Sequence, residues 1–515
     1  MFDDGIGSWP ERHLRVTPRA PALWFEGRTT THGEFALRVR RAAGALAGLG
    51  VRPGDRVGVL SANHPAMLES LFAAAQLGAI WVPVNGRLTP PEIAFVLEDA
   101  GAEVVLHGRE HGTTVDRLRP LLPAVRAWVA IEPPTTGGAG SLDWETLLSG
   151  AQATPRDTPV TADDPCLVMY TSGTTGKPKG AVLTHGNLTW AGLSNALDFG
   201  LSAADRALAM APLFHIGGLQ GMVLPTLLRG GCAVVVRGFD ATAVLEVIEQ
   251  QQVTAFFAVA TMLDAMARDP GSADRDLSSM RTIGAAGAPL PVPLLRTWLD
   301  RGVLVQQAYG MTESAASGTI LESAAATTRI GSAGRPQSFL DVRVVRPDGT
   351  ETAPGEVGEV VLRGRTIMAG YWGRPDATAE VLRDGWYHSG DAGSLDEDGY
   401  LTIRDRYKDM IISGGENVYP AEVESALLEL PGVQEAAVIG VPDEQWGEVG
   451  LALVVPVPGS VLDEATLTAA LRERLAGFKV PKQFRFTDGL PKTASGKIRK
   501  PALREQYALT EESTP

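Results

Sequence analysis

Residues 170–180 spell YTSGTTGKPKG, and this stretch decides the fold. It places four Ser or Thr hydroxyls, three glycines and two lysines within eleven residues. Glycine tolerates unusual backbone angles, so its N–H groups can converge on phosphate oxygens, while hydroxyls add donors and lysines add positive charge. The preceding CLVMY has the pattern of a buried strand. Because α/β proteins bind ligands at strand ends, the stretch predicts a phosphate-binding loop in an α/β fold.

The loop does not fit the commonest phosphate-loop pattern, G-x-x-x-x-G-K-[ST]. Thr171 stands where that pattern needs its first glycine, and Pro178 follows Lys177 where Ser or Thr is needed. Proline at that position also opposes the helix entry that the pattern requires. A P-loop NTPase is therefore disfavoured. For the loop taken alone, a plain surface hairpin is the other interpretation.

The rest of the chain predicts an α/β protein of two unequal parts. Helical and strand patterns alternate over residues 33–132 and again over 206–310, as in βαβ units with largely parallel sheets. Turn signals between short β runs predict a small antiparallel region at 341–364. From residue 405 a compact α+β pattern follows. We expect a large N-terminal region of doubly wound sheets over 1–404 and a small C-terminal domain over 405–515.

Composition narrows the class of protein. A chain of 515 residues exceeds the usual size of a single core, so more than one domain is expected. The net charge of −14 argues against nucleic-acid or anionic-membrane binding. Cys166 and Cys232 lack metal-ligand spacing, which fits a reducing compartment. The first residues, MFDDGIGSWP, do not resemble a signal peptide, and we find no membrane-span pattern. We expect a cytoplasmic protein.

Six further segments carry a resemblance to a known family. They are APLFHIGG (211–218), GAAGAPL (284–290), QAYGMTE (307–313), YHSGD (387–391), DRYKDMIISGGENVYP (405–420) and PKTASGKIRK (491–500). With YTSGTTGKPKG they resemble, in the family's order, the signature motifs of adenylate-forming enzymes: acyl-CoA synthetases, amino-acid adenylation domains and luciferases. The resemblance covers nearly the whole chain. It implies a large N-terminal α/β region and a small, mobile C-terminal domain.

The resemblance also implies a reaction and its cofactors. In an acid–thiol ligase, a carboxylate attacks the α-phosphate of ATP to give an acyl-adenylate and pyrophosphate, and a thiol then displaces AMP. ATP, Mg²⁺ and coenzyme A are the implied cofactors. Because negative charge accumulates as the anions meet, catalysis needs positioning and cationic or hydrogen-bonding groups.

The family's motifs assign roles to residues on the phosphate side. The residues expected to hold the phosphates are Thr171, Ser172, Gly173, Thr174, Thr175, Gly176 and Lys177. Thr312 matches a phosphate-contacting threonine, Glu313 the Mg²⁺-binding glutamate, and Lys497 the lysine needed for adenylation. Without the motifs, Glu313 and Lys497 would be interpreted as ordinary surface charges.

Other motif residues match the nucleoside, the hinge and the thiol arm. Those expected to contact adenine or ribose are Gly287, Ala288, Pro289, Gln307, Tyr309, Gly310, Asp391 and Arg406. Two carboxylate oxygens of Asp391 suit two ribose hydroxyls. Lys408 matches the family's hinge position. Gly414 and Gly415 would let the backbone approach a slender pantetheine arm, which favours coenzyme A as the acceptor.

The acid pocket is expected to be lined mostly by small or apolar residues. Its expected lining is Trp190, His215, Leu219, Gly284, Ala285, Ser314 and Gly318, with His215 at the entrance, where it resembles a catalytic-site residue that shifts between half-reactions. Amino-acid adenylation domains carry an Asp where this chain has His215 and Ile216, so an α-amino acid is disfavoured. Leu219 stands where some long-chain synthetases have a gating Trp. A hydrophobic acid is expected; a fatty acid is favoured, with an aryl, alicyclic or polyketide-like acid as the rival.

Several alternatives stay open or are set aside. The thiol acceptor could be a carrier protein's phosphopantetheine, the protein could be a non-catalytic binder, and a homodimer is left open. HGREH (107–111) matches a metalloprotease pattern, but Gly108 and the preceding strand argue against the helix that pattern needs. Ser172 lacks the G-x-S-x-G context of a serine hydrolase.

Overall fold

The computed structural model of the chain describes residues 5–153, 159–171, 178–287, 290–322, 324–329, 331–406, 409–413, 416–443, 446–475, 477–493 and 497–508. Over these ranges the chain forms four β-sheets. The first two are large and mainly parallel, the third is antiparallel, and the fourth belongs to the C-terminal part of the chain.

The first sheet carries the predicted phosphate loop. Its described strands are β3 (Arg56–Leu60), β4 (Ile80–Pro83), β5 (Ala102–His107), β6 (Ala127–Ala130), β7 (Leu142–Asp143), β8 (Pro165–Thr171), β9 (Lys179–Thr184) and β19 (Gly370–Tyr371), in the order β19-β9-β8-β4-β3-β5-β6-β7. Strands β3 to β8 pair in parallel, whereas β8–β9 and β9–β19 are antiparallel. Thr171 faces Lys179 across β8 and β9, so the ends of the loop form a hairpin.

The second sheet carries the predicted acid and adenine segments. Its described strands are β1 (Pro21–Phe25), β2 (Arg28–Thr31), β10 (Arg206–Ala209), β11 (Cys232–Val235), β12 (Ala255–Ala258), β13 (Thr282–Ala285), β14 (Val305–Gly310), β15 (Gly318–Ile320) and β16 (Arg335–Pro336), in the order β16-β15-β14-β13-β12-β10-β11-β1-β2. The central strands run in parallel and the edge strands are antiparallel.

Helices pack on and between these sheets. They are α1 (Trp9–Val16), α2 (His32–Gly48), α3 (Pro65–Leu77), α4 (Pro90–Ala100), α5 (Gly112–Leu118), α6 (Trp144–Gly150), α7 (His185–Asp198), α8 (Ile216–Gln220), α9 (Val223–Arg229), α10 (Ala241–Gln251), α11 (Ala260–Arg268), α12 (Val292–Asp300), α13 (Pro375–Val381), α14 (Pro420–Leu428), α15 (Glu464–Arg472) and α16 (Lys500–Ala508). Helix α3 is buried on every side, as its nearly continuous apolar sequence requires, and it lies in the largest core cluster. Capping boxes at Thr31 and Thr184 begin α2 and α7.

The third and fourth sheets follow along the chain. The third contains β17 (Leu340–Val345), β18 (Gly358–Gly364), β20 (Leu382–Arg383), β21 (Trp386–Leu395) and β22 (Leu401–Arg406). The fourth contains β23 (Ile411–Ser413), β24 (Glu416–Val418), β25 (Val433–Asp443), β26 (Gly447–Pro456) and β27 (Gln483–Phe486). Two apolar clusters drawn from residues after 410 cover the fourth sheet, so this part of the chain has its own core. The bounds 1–404 and 405–515 stay a prediction.

Two expectations concern helices. His107 ends β5, and Arg109–His111 form a 3-10 turn, so no helix presents the two histidines of HGREH on one face. The His107 ring instead lies 2.9 Å from Ser141 Oγ. Within the described ranges, none of the helices combines the length and apolar character that a membrane crossing demands.

Candidate functional site

One buried side chain, Asn63, joins the two large sheets at the carboxyl ends of their strands. Asn63 follows β3 of the first sheet. Its Nδ2 donates to the carbonyls of Ala209 and Ala211, both at 3.0 Å, and its Oδ1 accepts from the Leu213 N–H at 2.8 Å. The bonded backbone is the segment that leads from β10 to His215. Asn63 therefore fixes the acid-side segment to the sheet that carries the phosphate loop.

The phosphate side gathers residues from distant parts of the sequence. Glu313 lies in the 3-10 turn Thr312–Ser314 and is only 8% exposed. Its Oε1 accepts from the Tyr371 hydroxyl at 2.9 Å and, more weakly, from Thr171 Oγ1 at 3.4 Å. Thr171 is the last described residue before the loop. The structure thus brings the predicted metal-binding carboxylate to the start of the predicted phosphate loop.

This carboxylate fits the magnesium ion that the family implies. Mg²⁺ in nucleotide sites is usually held by one or two carboxylates together with phosphate oxygens and water. No group of three or more His, Cys, Asp or Glu that could hold a metal occurs in the part of the chain that the structure describes. A single acidic ligand beside a phosphate loop matches a magnesium ion held jointly by one carboxylate, phosphate oxygens and water, and not an ion held by protein ligands alone. Glu313 would hold the ion, which would neutralise phosphate charge.

Two tyrosines near Glu313 were missed by the sequence analysis. Tyr371 donates to Glu313, and its ring lies 5.3 Å from Lys179 Nζ, a cation–π contact. Tyr387 is buried and hydrogen-bonds Tyr371. Burial, followed by the nearby charge of Glu313, raises the pKa of Tyr387 far above its usual value. Tyr387 stands inside the YHSGD motif, but nothing in the sequence links it to Tyr371.

The nucleoside side centres on Asp391. Its Oδ2 accepts from the Tyr309 hydroxyl at 2.7 Å, and its side chain is 6% exposed. The backbone of Arg406 pairs with Asp391 across β21 and β22. Gln307 Oε1 is buried and has no hydrogen-bond partner within the described part of the chain, and a buried acceptor of this kind needs a donor such as a ligand or water. The exocyclic amine of adenine is such a donor, so the residues present fit an adenine nucleotide.

Lys497, in the C-terminal part of the chain, lies close to the predicted adenine-binding segment. A Cβ placed on Gly287, whose φ is +94°, would lie 3.8 Å from Lys497 Cε. Burial, followed by the positive charges of Arg87 and Lys497, lowers the pKa of His215 to about 4. His215 Nε2 is buried and has no hydrogen-bond partner among the residues that the structure describes. The structure therefore brings Lys497, Gly287 and His215 together, with His215 neutral at pH 7.

The acid side is built from glycines and apolar rings. Phe257 lies where side chains of Gly217 and Gly221 would be: its ring atoms come within 2.6 and 2.9 Å of Cβ positions built on them. A Cβ on Gly284 would lie 2.8 Å from Met222 Cε and 3.0 Å from Phe199 Cζ. Met222 and Phe199 are buried in a cluster of their own. The space beside Gly284 is thus filled by side chains that sequence analysis did not single out.

The other predicted acid-pocket residues lie around this region with varied partners. Trp190 packs edge-on against Phe339, with ring centroids 4.9 Å apart, and Arg365 lies 4.7 Å from its ring centroid. Leu219 and Ala285 are fully buried in two different core clusters. Ser314 Oγ donates to the Ser317 carbonyl, and the Gly318 N–H donates to Gln337 Oε1 at 2.8 Å. Their contact with an acid stays a prediction.

Eleven of the predicted residues lie outside the described residues. They are Ser172, Gly173, Thr174, Thr175, Gly176, Lys177, Ala288, Pro289, Lys408, Gly414 and Gly415. Their roles, and the side-chain role of Arg406, stay predictions.

Comparison with known proteins now bears on this geometry. The sequence profile of the family described as AMP-binding enzyme matches residues 10–372, and that of the AMP-binding enzyme C-terminal domain matches residues 422–497. Proteins named feruloyl-CoA synthase, from Amycolatopsis sp. and Streptomyces sp., are 51% identical over 507 residues, which is 98% of this chain and 100% of theirs. The long-chain-fatty-acid–CoA ligase FadD13 of Mycobacterium tuberculosis is 39% identical over 98% of this chain and 99% of its own.

Solved structures give the same result for the fold. The anthranilate CoA ligase AuaEII in complex with anthranoyl-AMP has a TM-score of 0.92 at 31% identity, covering 99% of this chain and 98% of its own. The O-succinylbenzoate coenzyme A synthetase of Bacillus subtilis in complex with ATP and a magnesium ion has a TM-score of 0.86 at 34% identity, covering 96% and 99%. The predicted α/β fold with a separate C-terminal domain is confirmed. The chain belongs to the AMP-binding enzyme family, as an AMP-forming acyl-CoA synthetase that uses ATP, Mg²⁺ and coenzyme A.

Proposed function

We propose that the chain activates an aromatic carboxylic acid of the hydroxycinnamate class, such as ferulate, and transfers it to coenzyme A. The acid and ATP give a cinnamoyl-type acyl-AMP and pyrophosphate; the CoA thiol then displaces AMP and gives the thioester. Relatives named feruloyl-CoA synthase, at 51% identity over the full length, support this class. It takes the place of the fatty acid that the sequence analysis favoured.

The packing beside Gly284 is the observation that carries the choice of acid. Met222 and Phe199 fill the space on the side-chain face of Gly284, and both belong to a buried apolar cluster. A long alkyl chain on this path would have to displace them, at the cost of core packing. A flat ring could stop above them, beside Phe257, whose ring covers the side-chain faces of Gly217 and Gly221. A short, flat acid therefore suits the site better than a long one.

The residues take the following roles in the first half-reaction. Lys497, from the C-terminal part, stabilises negative charge as the acid carboxylate attacks the α-phosphate. Glu313, oriented by Tyr371, would hold the magnesium ion, which would neutralise phosphate charge. Thr171 and Thr312 would contact the phosphates. Asp391 accepts the ribose hydroxyls, and Gln307 Oε1 accepts the adenine amine. His215, neutral at pH 7, lies near Lys497 at the acid entrance without adding to the positive charge there.

A fatty acid is the second candidate, since FadD13 is 39% identical over nearly the full length. The two candidates differ in what must happen at Met222. A fatty acid requires Met222 and Phe199 to move aside, whereas a hydroxycinnamate leaves them in place. The comparison of the two acids is therefore a test of this packing.

An acid panel tests the proposal. Full-length protein with Mg·ATP is offered ferulate, coumarate, cinnamate, octanoate and laurate, and pyrophosphate release and acyl-CoA formation are measured. We expect kcat/KM for ferulate or coumarate to exceed that for laurate by at least about tenfold, since a mismatch of chain length in a filled pocket costs 1–3 kcal/mol. Laurate as the best substrate would overturn the aromatic assignment. Free CoA and a phosphopantetheine-loaded carrier protein, compared as acceptors, test the thiol.

Met222→Ala links the preference to the packing. Removing this side chain should open space beside Gly284 and raise the laurate-to-ferulate ratio of kcat/KM. Met266→Ala is the matched control because Met266 is an equally buried methionine in the separate cluster beneath α11. An equal shift in both variants would mean that loosened packing in general, and not the acid path, changes the preference.

A further inference from the structure

A wide bulge in the third sheet presents Asp391 to the cleft. Between β18 and β21, Glu359 pairs with Ala392 while Val361 pairs with His388. Ser389, Gly390 and Asp391 therefore stand opposite the single residue Val360. Such bulges break the ladder locally and re-aim side chains, often next to active sites. Three residues of β21 thus oppose one residue of β18, so on the side of β18 the bulge needs support other than regular strand pairing.

The Glu359 carboxylate supplies much of that support. Its Oε1 accepts from the Gly390 N–H at 3.1 Å, and its Oε2 lies 2.8 Å from His388 Nδ1. Gly390 has φ of +68°, a left-handed conformation that glycine adopts without strain. From β18, the Glu359 carboxylate thus contacts both His388, which precedes the bulge on β21, and Gly390 at the apex of the bulge.

Ser389 supplies the second arm of the support. Its hydroxyl donates to the Val360 carbonyl at 2.6 Å and accepts from the Asp391 N–H at 3.0 Å. The backbone of Asp391 is held from behind, while its carboxylate accepts from Tyr309 in front. On the side of β18, where the regular β18–β21 pairing is interrupted, these bonds hold the backbone of the bulge.

We propose that Glu359 is a positioning residue for nucleotide selection: it holds the Ser389–Asp391 bulge so that the Asp391 carboxylate meets the two vicinal hydroxyls of the nucleotide ribose. The inference rests on the proposed role of Asp391. Glu359 does not touch the nucleotide itself. Glu359 acts by orienting the Asp391 carboxylate. Its loss should therefore change binding of the ribose, and not of the acid, the phosphates or the thiol.

Ribose discrimination provides the test. The ratio of kcat/KM for ATP over 2′-deoxy-ATP is measured in acid-dependent pyrophosphate release for the parent enzyme, Glu359→Ala and Glu359→Gln. We expect Glu359→Ala to lower the ratio about tenfold through a higher KM for ATP, with kcat at saturating ATP nearly unchanged. Glu359→Gln should retain most of the ratio, because its amide oxygen can still accept from Gly390 and its amide can pair with the other tautomer of His388.

Control variants separate positioning from general damage. Glu356→Gln alters a carboxylate three residues earlier that binds Arg346, and it should leave the ratio unchanged. Ser389→Ala removes the other arm and should also lower the ratio. It takes the place of Glu359→Ala in the test if Glu359→Ala fails to fold. Equal losses with ATP and 2′-deoxy-ATP, or an unchanged ratio in a folded Glu359→Ala protein, would overturn the inference.

Asp391→Asn tells the two possible failures apart. If Asp391→Asn itself leaves discrimination intact, Asp391 does not select the ribose and the proposed role fails. If Asp391→Asn abolishes discrimination while Glu359→Ala and Ser389→Ala do not, only the positioning role is wrong.

Discussion

The nucleotide side and the acid side of the cleft are built in opposite ways. On the nucleotide side, charged and phenolic groups are held by named hydrogen bonds: Tyr371 to Glu313, Tyr309 to Asp391, and Glu359 to the bulge. On the acid side, glycines leave room that Phe257, Met222 and Phe199 occupy. The nucleotide side is defined by the direction of its hydrogen bonds and by its charges, whereas the acid side is defined by the volume that its packed side chains leave. A polar site can thus be specified by a few residue types, but a pocket shape needs every neighbour.

Lys497→Ala should have the largest effect and act on the nucleotide side alone. Loss of a group that stabilises developing charge typically costs about 10²–10³ in rate. We expect that loss in acid-dependent pyrophosphate release, while thioester formation from supplied acyl-AMP changes only a few-fold. Lys492→Ala is the matched control, because Lys492 lies in the same segment but pairs with Glu435. Equal loss in both half-reactions would contradict the assignment.

Gly284→Val should have the next largest effect and act on the acid side alone. Its added methyl groups meet Met222 and Phe199, which already lie within 3.0 Å of the Cβ position. Overpacking of this kind costs about 1–3 kcal/mol, so we expect kcat/KM for the aromatic acid to fall about tenfold or more. The KM for ATP should stay the same. A changed KM for ATP would mean that the two regions are not independent.

Combining Gly284→Val with Met222→Ala sharpens this experiment. If the added methyl groups act by pushing Met222 toward the acid, the double variant should recover much of the lost activity. Simple additivity of the two losses would show that they do not interact.

Tyr371→Phe should have a moderate effect through Glu313. A hydrogen bond to a charged group is worth about 1.5–3 kcal/mol, so the Mg²⁺ concentration for half-maximal rate should rise about tenfold. Calorimetric binding of Mg·ATP should weaken in parallel, while binding of metal-free AMP should not. Tyr387→Phe, which removes a phenol bonded to Tyr371 and not to Glu313, should change both quantities less. Equal effects in the two variants would assign the role to the pair.

The prediction for His215 concerns stability and not rate, and it takes the form of a pH dependence. Its pKa in the folded chain is about 4, below the ordinary value of 6.5, because burial favours the neutral ring. The unfolded chain therefore binds a proton that the folded chain does not as pH falls from 6.5 to 4, and stability is lost over that window. Urea unfolding should show the parent losing stability relative to His215→Asn across that range. A constant difference would contradict the lowered pKa.

Much of the nucleotide side could be predicted from the sequence. The chemistry demands a carboxylate, a lysine and a glycine-rich hairpin, so Glu313, Asp391, Lys497 and Thr171 stand out within recognisable motifs, and the structure brings Glu313 to Thr171 and Lys497 to Gly287. The alternating patterns over 33–132 and 206–310 likewise predicted many strands of both large sheets, but β1, β2, β15, β16 and β19 lie outside those ranges. The motif residues could be singled out because each belongs to a local sequence pattern, and their roles stay predictions.

The support of Glu313 and the packing on the acid side depend on contacts between distant segments, which no local sequence pattern encodes. Tyr371 and Glu313 are 58 residues apart in the sequence, and Phe199 and Met222 belong to segments outside every motif. Leu219 is fully buried in the largest cluster, and an apolar residue of this kind has the same local signature whether or not it lines a pocket. The type of reaction could therefore be predicted, but the preferred acid could not.

Asn63 also limits how the cleft can deform. Both hydrogens of its amide nitrogen and its carbonyl oxygen are engaged across the seam between the two large sheets. Shear along that seam would rupture three bonds at once, each with a net worth of about 1 kcal/mol and a larger penalty if left buried and unpaired. On the proposed function, these bonds hold the acid-side segment against the sheet that carries the phosphate loop before any substrate binds.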